Sequence, residues 1–133
     1  PANFLLRADG TLVLADLGIA VAAGTRPTQR EGTVTGTPRY VAPEQLQGAP
    51  ASPAADVYAL GVLLHEMLSG RPPFAGETLM EILSQHLVAT PPRLPAASAR
   101  LQPLVDRMLA KEVECRLPNA EAVLGLLGQR CMK

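Results

Sequence analysis

Residues 52–70 place the tightest constraint on how this chain can fold. Ser52 followed by Pro53 opens a helix. A serine hydroxyl accepts from the free amides of the first turn, and proline, which has no N–H to waste, suits the first helical position. Gly70 closes the helix, because glycine enters the left-handed conformation that ends helices without a Cβ penalty. Between these marks, residues 54–69 are apolar around most of the helical circumference rather than along one stripe. Such a helix belongs at the centre of a core. It also carries Asp56, His65 and Glu66 and is too short to span a bilayer comfortably, so it reads as a buried helix of a globular body.

The rest of the chain arranges itself around that helix. Phe4-Leu5-Leu6-Arg7 and Thr11-Leu12-Val13-Leu14-Ala15 flank Ala8-Asp9-Gly10, and Asp-Gly between two apolar runs predicts a β-hairpin. Residues 17–39 are rich in Gly, Thr, Pro and Ala without a sustained period, which predicts a long loop of the kind that tends to carry function. Leu79, Ile82, Leu83 and Leu87 recur at helical spacing and predict a second helix over 77–88. A third is expected over 97–110, and a fourth over 119–127, capped by Asn119 and ended near Gly128. The expected architecture is mainly α, with a small two-stranded edge and about four to five helices.

Composition narrows the classes open to such a fold. With 133 residues, 47% of them hydrophobic and 18% charged, the chain can bury one core without metal or disulfide staples. Twelve basic and twelve acidic side chains cancel, which removes the usual electrostatic case for nucleic acid or an anionic membrane as partner. Cys115 and Cys131 form neither a disulfide framework nor a metal-ligand cluster and read as reduced thiols. No secretion signal or lipidation motif is evident. The first residue is Pro rather than Met, which fits a piece of a longer chain, and a membrane anchor elsewhere in a parent protein stays open.

Phosphoryl transfer needs metal ions held by oxygen ligands on rigid supports. Asp16 follows an apolar strand and precedes Leu17-Gly18, a position suited to such a ligand, with Gly18 allowing a sharp backbone turn. Asn3 precedes the partner strand, so its amide oxygen can approach the same place. An aspartate after a strand is also a common turn former, and from these residues alone both readings stand.

The wider motif set resembles a serine/threonine protein kinase of bacterial type. Pro1-Ala2-Asn3 is similar to the end of the kinase catalytic loop, and Asp16-Leu17-Gly18 to its DFG motif with Leu in place of Phe. Gly36-Thr37-Pro38-Arg39-Tyr40-Val41-Ala42-Pro43-Glu44 resembles the substrate-docking loop that ends in APE. Asp56-Val57-Tyr58-Ala59-Leu60-Gly61 resembles the DxWxxG start of the family's central helix, with Tyr58 for Trp, and Gly70-Arg71-Pro72-Pro73-Phe74 and Arg116 complete the order. The resemblance covers nearly the whole chain. It implies a kinase-like carboxy-terminal lobe over residues 1–133, running from the end of the catalytic loop onward, with a long activation loop and without the small lobe.

Carried over by position, the resemblance implies Asn3 and Asp16 as Mg²⁺ ligands, and Leu5 and Ala15 on the floor of the adenine pocket. It places the Thr37 hydroxyl beside a catalytic aspartate that would lie upstream of Pro1. Thr33 and Thr35 become candidate activation-loop phosphosites, since a phosphate can order such a loop by pairing with Arg. Glu44 and Arg116 resemble a structural buried ion pair, and Asp56 a scaffold carboxylate that accepts backbone amides and complements the helix dipole. His65 and His86, with no nucleophile or ligand set beside them, read as packing or surface residues. The implied activity is transfer of the γ-phosphate of Mg·ATP to Ser or Thr hydroxyls of protein substrates in the cytoplasm. The glycine loop, the strand lysine and the catalytic aspartate are not in these 133 residues, so the chain alone is expected to be inactive. The alternative is a catalytically dead kinase-like interaction module. An upstream aspartate and glycine loop in a parent protein would separate the two.

Overall fold

A computed structural model describes residues 4–14 and 38–131 of the chain. The hairpin pairs β1 (Phe4–Leu6) with β2 (Leu12–Leu14) antiparallel, with Leu5 opposite Val13. Its turn follows from Asp9 and Gly10. The Asp9 carboxylate accepts from the Thr11 amide at 2.8 Å, and Gly10 takes φ 84°, a conformation other residues resist. The Thr11 contacts hold the Asp9 pKa below its ordinary value.

Among the described residues five α-helices follow: α1 (Pro43–Leu46), α2 (Pro53–Ser69), α3 (Leu79–Val88), α4 (Gln102–Met108) and α5 (Ala120–Cys131), joined by short 3-10 turns. Helix α2 has the ends expected of it. The Ser52 hydroxyl accepts from the Ala55 amide at 3.2 Å, and Gly70 closes the helix at φ 74°. Helix α3 starts two residues later than its apolar spacing suggests, because Thr78 and Glu81 form a reciprocal capping box there.

Two expectations need correction. Residues 97–110 are not one helix but a 3-10 turn (Ala96–Leu101) followed by α4. Pro103 has no amide to offer residue 99, and its ring crowds that carbonyl, so an α-helix cannot pass through it and instead restarts with Pro103 in its first turn. The last helix does not stop near Gly128 but continues to Cys131. Gly128 has no positive φ, and a glycine that stays helical weakens a helix without ending it.

Helix α2 lies between two apolar clusters. One joins its Ala55, Tyr58 and Val62 to Ala42, Phe74, Leu94, Val105 and Leu109. The other joins Val57 to Leu104, Met108, Leu117 and Val123. Gly61 lets α4 come close: a Cβ there would lie 2.8 Å from Met108 Cβ. The hairpin differs, with Leu6 72% exposed and Leu12 57%.

Candidate functional site

The described part of the site begins at a 3-10 turn, Pro38–Tyr40, and runs into α1. Ala42 is wholly buried and Pro43 opens the helix, while the Gln45 side chain reaches back to accept from the Ala42 amide at 3.2 Å. Two contacts tie this segment to the body. Tyr40 donates its hydroxyl to Glu66 on α2 at 3.2 Å. Burial, and then the Glu66 charge, raise the Tyr40 pKa, so the phenol keeps the proton it donates.

The second tie is the ion pair of Glu44 and Arg116. The Arg116 Nη1 and Nη2 donate to the two carboxylate oxygens at 2.7 and 2.9 Å. The remaining donors reach main-chain oxygens of Ala110 (3.0 Å), Ala54 (3.0 Å) and Lys111 (3.2 Å). All five N–H groups of the guanidinium are therefore committed, and its carbon lies 5.0 Å from the Tyr58 ring centroid. A buried charge is tolerated only when satisfied to this degree. One side chain thus fastens α1, the start of α2 and the stretch after α4 to one another.

Beside it lies a network that the sequence reading missed. Lys111 Nζ donates to the main-chain oxygens of His86 (2.8 Å) and Gln85 (3.3 Å) and to the Tyr58 hydroxyl (3.2 Å). It also sits 4.1 Å from the Phe74 ring centroid. Burial, then the Arg116 charge, pushes the Lys111 pKa down to about 8. Three acceptors and an aromatic face favour the ammonium, so it stays charged at neutral pH. With Lys111 donating to it, the Tyr58 hydroxyl can donate to His86 Nδ1 at 3.0 Å. That direction assigns the ring proton of His86 to Nε2. This nitrogen is buried with no partner of hydrogen-bond geometry, although the Arg39 backbone lies near enough to raise the ring's pKa slightly. Burial and the Lys111 charge outweigh that and push the pKa down to about 4, so the ring is neutral. Burial raises the Tyr58 pKa as well. Tyr58 in place of Trp was the available signal, since a buried phenol needs a polar partner.

The other sequence-derived positions are scattered. Leu5 sits on β1 and is 55% exposed. Asp56 stands exposed in the first turn of α2, and its carboxylate has no partner among the described residues. Desolvation nevertheless raises its pKa, against the direction a helix amino terminus would give. His65 and His86 are both buried packing residues. Asn3, Ala15, Asp16, Thr33, Thr35 and Thr37, with most of the expected long loop, lie outside the described residues. Among the described residues no group of His, Cys, Asp and Glu side chains could hold a metal, and no helix is long and apolar enough to cross a membrane.

Comparison with known proteins agrees with this geometry. Residues 1–125 match the protein kinase domain family. The serine/threonine-protein kinase drp72 of Corynebacterium efficiens is 45% identical over 113 residues, which are 84% of this chain and 22% of that protein. PknA of Mycobacterium tuberculosis H37Rv is 38% identical over 135 residues, covering 98% of this chain and 31% of its own length. The structure of the Cydia pomonella granulovirus kinase PK-1 superposes with a TM-score of 0.76 at 25% identity, over 92% of this chain and 46% of that one. The chain belongs to the protein kinase family and is of the bacterial serine/threonine type. It spans between about a fifth and a third of the length of these bacterial relatives.

Proposed function

We propose that the chain is the latter part of the large lobe of a serine/threonine protein kinase domain, and that the complete domain transfers the γ-phosphate of ATP to Ser or Thr hydroxyls of proteins. The observation that carries this reading is the Glu44–Arg116 clasp. It fastens Glu44, the last residue of the 36–44 stretch that resembles a substrate-docking loop, to the start of α2. A docking surface must be rigid to orient a hydroxyl, and positioning is most of what this chemistry asks of a protein.

In this reading Thr37 sits at the docking edge and orients the acceptor hydroxyl, and Leu5 and Ala15 lie under the adenine. Asn3 and Asp16 supply two hard oxygen donors of the kind Mg²⁺ takes, and the ion would neutralise phosphate charge. Thr33 and Thr35 are the regulatory phosphosites, and Glu44, Arg116 and Asp56 are scaffold. The domain works in the cytoplasm, with ATP and protein substrates as its partners. Relatives named as serine/threonine kinases at 38–45% identity favour the enzyme over a dead interaction module.

The test is transfer of labelled γ-phosphate by the full-length protein to a serine- and threonine-containing substrate. Asp16→Asn should lower the rate by at least about 100-fold, with Mg·ATP binding weakened. Full activity in that variant, with phosphate still reaching Ser or Thr, would contradict the assignment. The 133 residues alone should bind Mg·ATP weakly or not at all, and tight binding by calorimetry would contradict the partial-domain reading.

A further inference from the structure

On the far side of α2 from Asp56, a cavity of about 570 Å³ opens between the carboxy-terminal end of that helix and the stretch that precedes α4. Its walls include Pro72, Pro73, Pro92 and Pro95. Proline rings are rigid and apolar and bring no N–H groups, so hydrogen bonding in the cavity falls to other residues.

Three main-chain oxygens along its margin are already engaged. The Pro92 oxygen faces His65 Nε2 at 3.0 Å, the Arg71 oxygen accepts from the Ser69 hydroxyl at 2.7 Å, and the Ala75 oxygen accepts from the Gln85 amide. Two positive side chains stand beside them. Arg71 and Arg93 line the cavity with exposed side chains that make no ion pair or hydrogen bond among the described residues. No carboxylate lines the cavity.

The buried wall behind them is tied up in its own hydrogen bonds. His65 is 2% exposed, and both its ring nitrogens face acceptors. The Pro92 carbonyl can only accept. The Ser69 oxygen has spent its one proton on Arg71, receives the Arg71 amide at 3.3 Å, and stands 3.3 Å from His65 Nδ1. With two guanidinium groups and no carboxylate on its lining, the cavity favours a negatively charged ligand.

We propose that this cavity is a docking site for a phosphorylated serine or threonine within an extended protein segment. A phosphorylated side chain carries about −1.5 to −2 charges and three acceptor oxygens, which suits two guanidinium forks, whereas a single carboxylate brings about half that charge. The volume lies in the range of sites that enclose a side chain and its neighbours. The proline walls give the flanking residues apolar contact, as extended peptides require. This site goes beyond the kinase reading and does not depend on catalysis.

The experiment measures binding of a labelled phosphothreonine peptide to the intact protein by fluorescence anisotropy, beside its unphosphorylated twin and inorganic phosphate as competitor. The phosphopeptide should bind at least about tenfold more tightly than its twin and weaken as salt rises. The Arg71→Ala/Arg93→Ala protein should lose at least about tenfold in affinity while melting at the parent temperature, because both side chains are exposed. An Arg71→Lys/Arg93→Lys protein keeps the charge but not the fork and should fall between. Equal binding of the two peptides, or undiminished binding by the alanine variant, would overturn the proposal. Displacement by phosphate at the same concentration as the peptide would also overturn it, leaving a site for a free anion.

Discussion

The hairpin and α2 are both apolar in sequence, yet the structure treats them in opposite ways. Leu6 and Leu12 are mostly exposed, while Tyr58, Val57 and Val62 are at most 2% exposed. Fully burying one such aliphatic side chain stabilises by roughly 1.5–3 kcal/mol. Within these residues α2 therefore draws far more stabilisation from burial than Leu6 and Leu12 do. The Asp9-Gly10 turn gives the hairpin its shape locally. Local hydrogen bonds can define a strand pair, but only burial makes an element cooperative with the rest.

The contrast is broken most severely at Arg116. Arg116→Ala leaves the Glu44 carboxylate without its ion-pair partner and takes a donor from three main-chain oxygens, and the loss should be about 3–5 kcal/mol by urea unfolding. Glu44→Ala should also destabilise far more than Asp16→Ala, and equal melting temperatures for those two would count against the clasp as a structural element.

A second effect comes from His86. Its folded pKa, about 4, lies below the unfolded value of 6.5, so the unfolded chain binds the extra proton first as pH falls. Stability should decline between pH 6.5 and about 4, by on the order of 3 kcal/mol at the lower limit. His86→Gln should flatten that part of the pH profile. An unchanged profile would show that the ring is not buried neutral.

Gly61→Ala comes next. Overpacking against Met108 costs about 1–3 kcal/mol, against a helix-propensity gain of about 1 kcal/mol, so a net loss is expected in thermal melts. The smallest effect belongs to the hairpin: Leu6→Ser, at a mostly exposed site, should shift stability by no more than about 0.5 kcal/mol.

What could be read from the sequence follows the same division. The ends of α2 were legible because Ser52, Pro53 and Gly70 act on their own backbone neighbours. The Asp9-Gly10 turn was legible for the same reason. The break before α4 turned on Pro103, which lies inside the expected 97–110 helix and outweighs the apolar spacing around it. Glu44 and Arg116, 72 residues apart, were paired only through a family resemblance. The Lys111 network joins residues 25 to 53 positions apart, and no local pattern marks such a lysine as buried. Arg71 and Arg93 look like ordinary surface charges until the prolines bring them to one cavity.

Arg116 locks the segment resembling a docking loop onto the α2 core, and the hairpin makes no bond to that lock among the described residues. Amide hydrogen exchange on the intact protein and on Arg116→Lys, which keeps the charge but cannot make all five bonds, tests it directly. Exchange should be faster across residues 42–56 in the variant, with residues 4–14 unchanged and less protected than α2 in both proteins. Unaltered exchange over 42–56, or a hairpin as protected as α2, would contradict it.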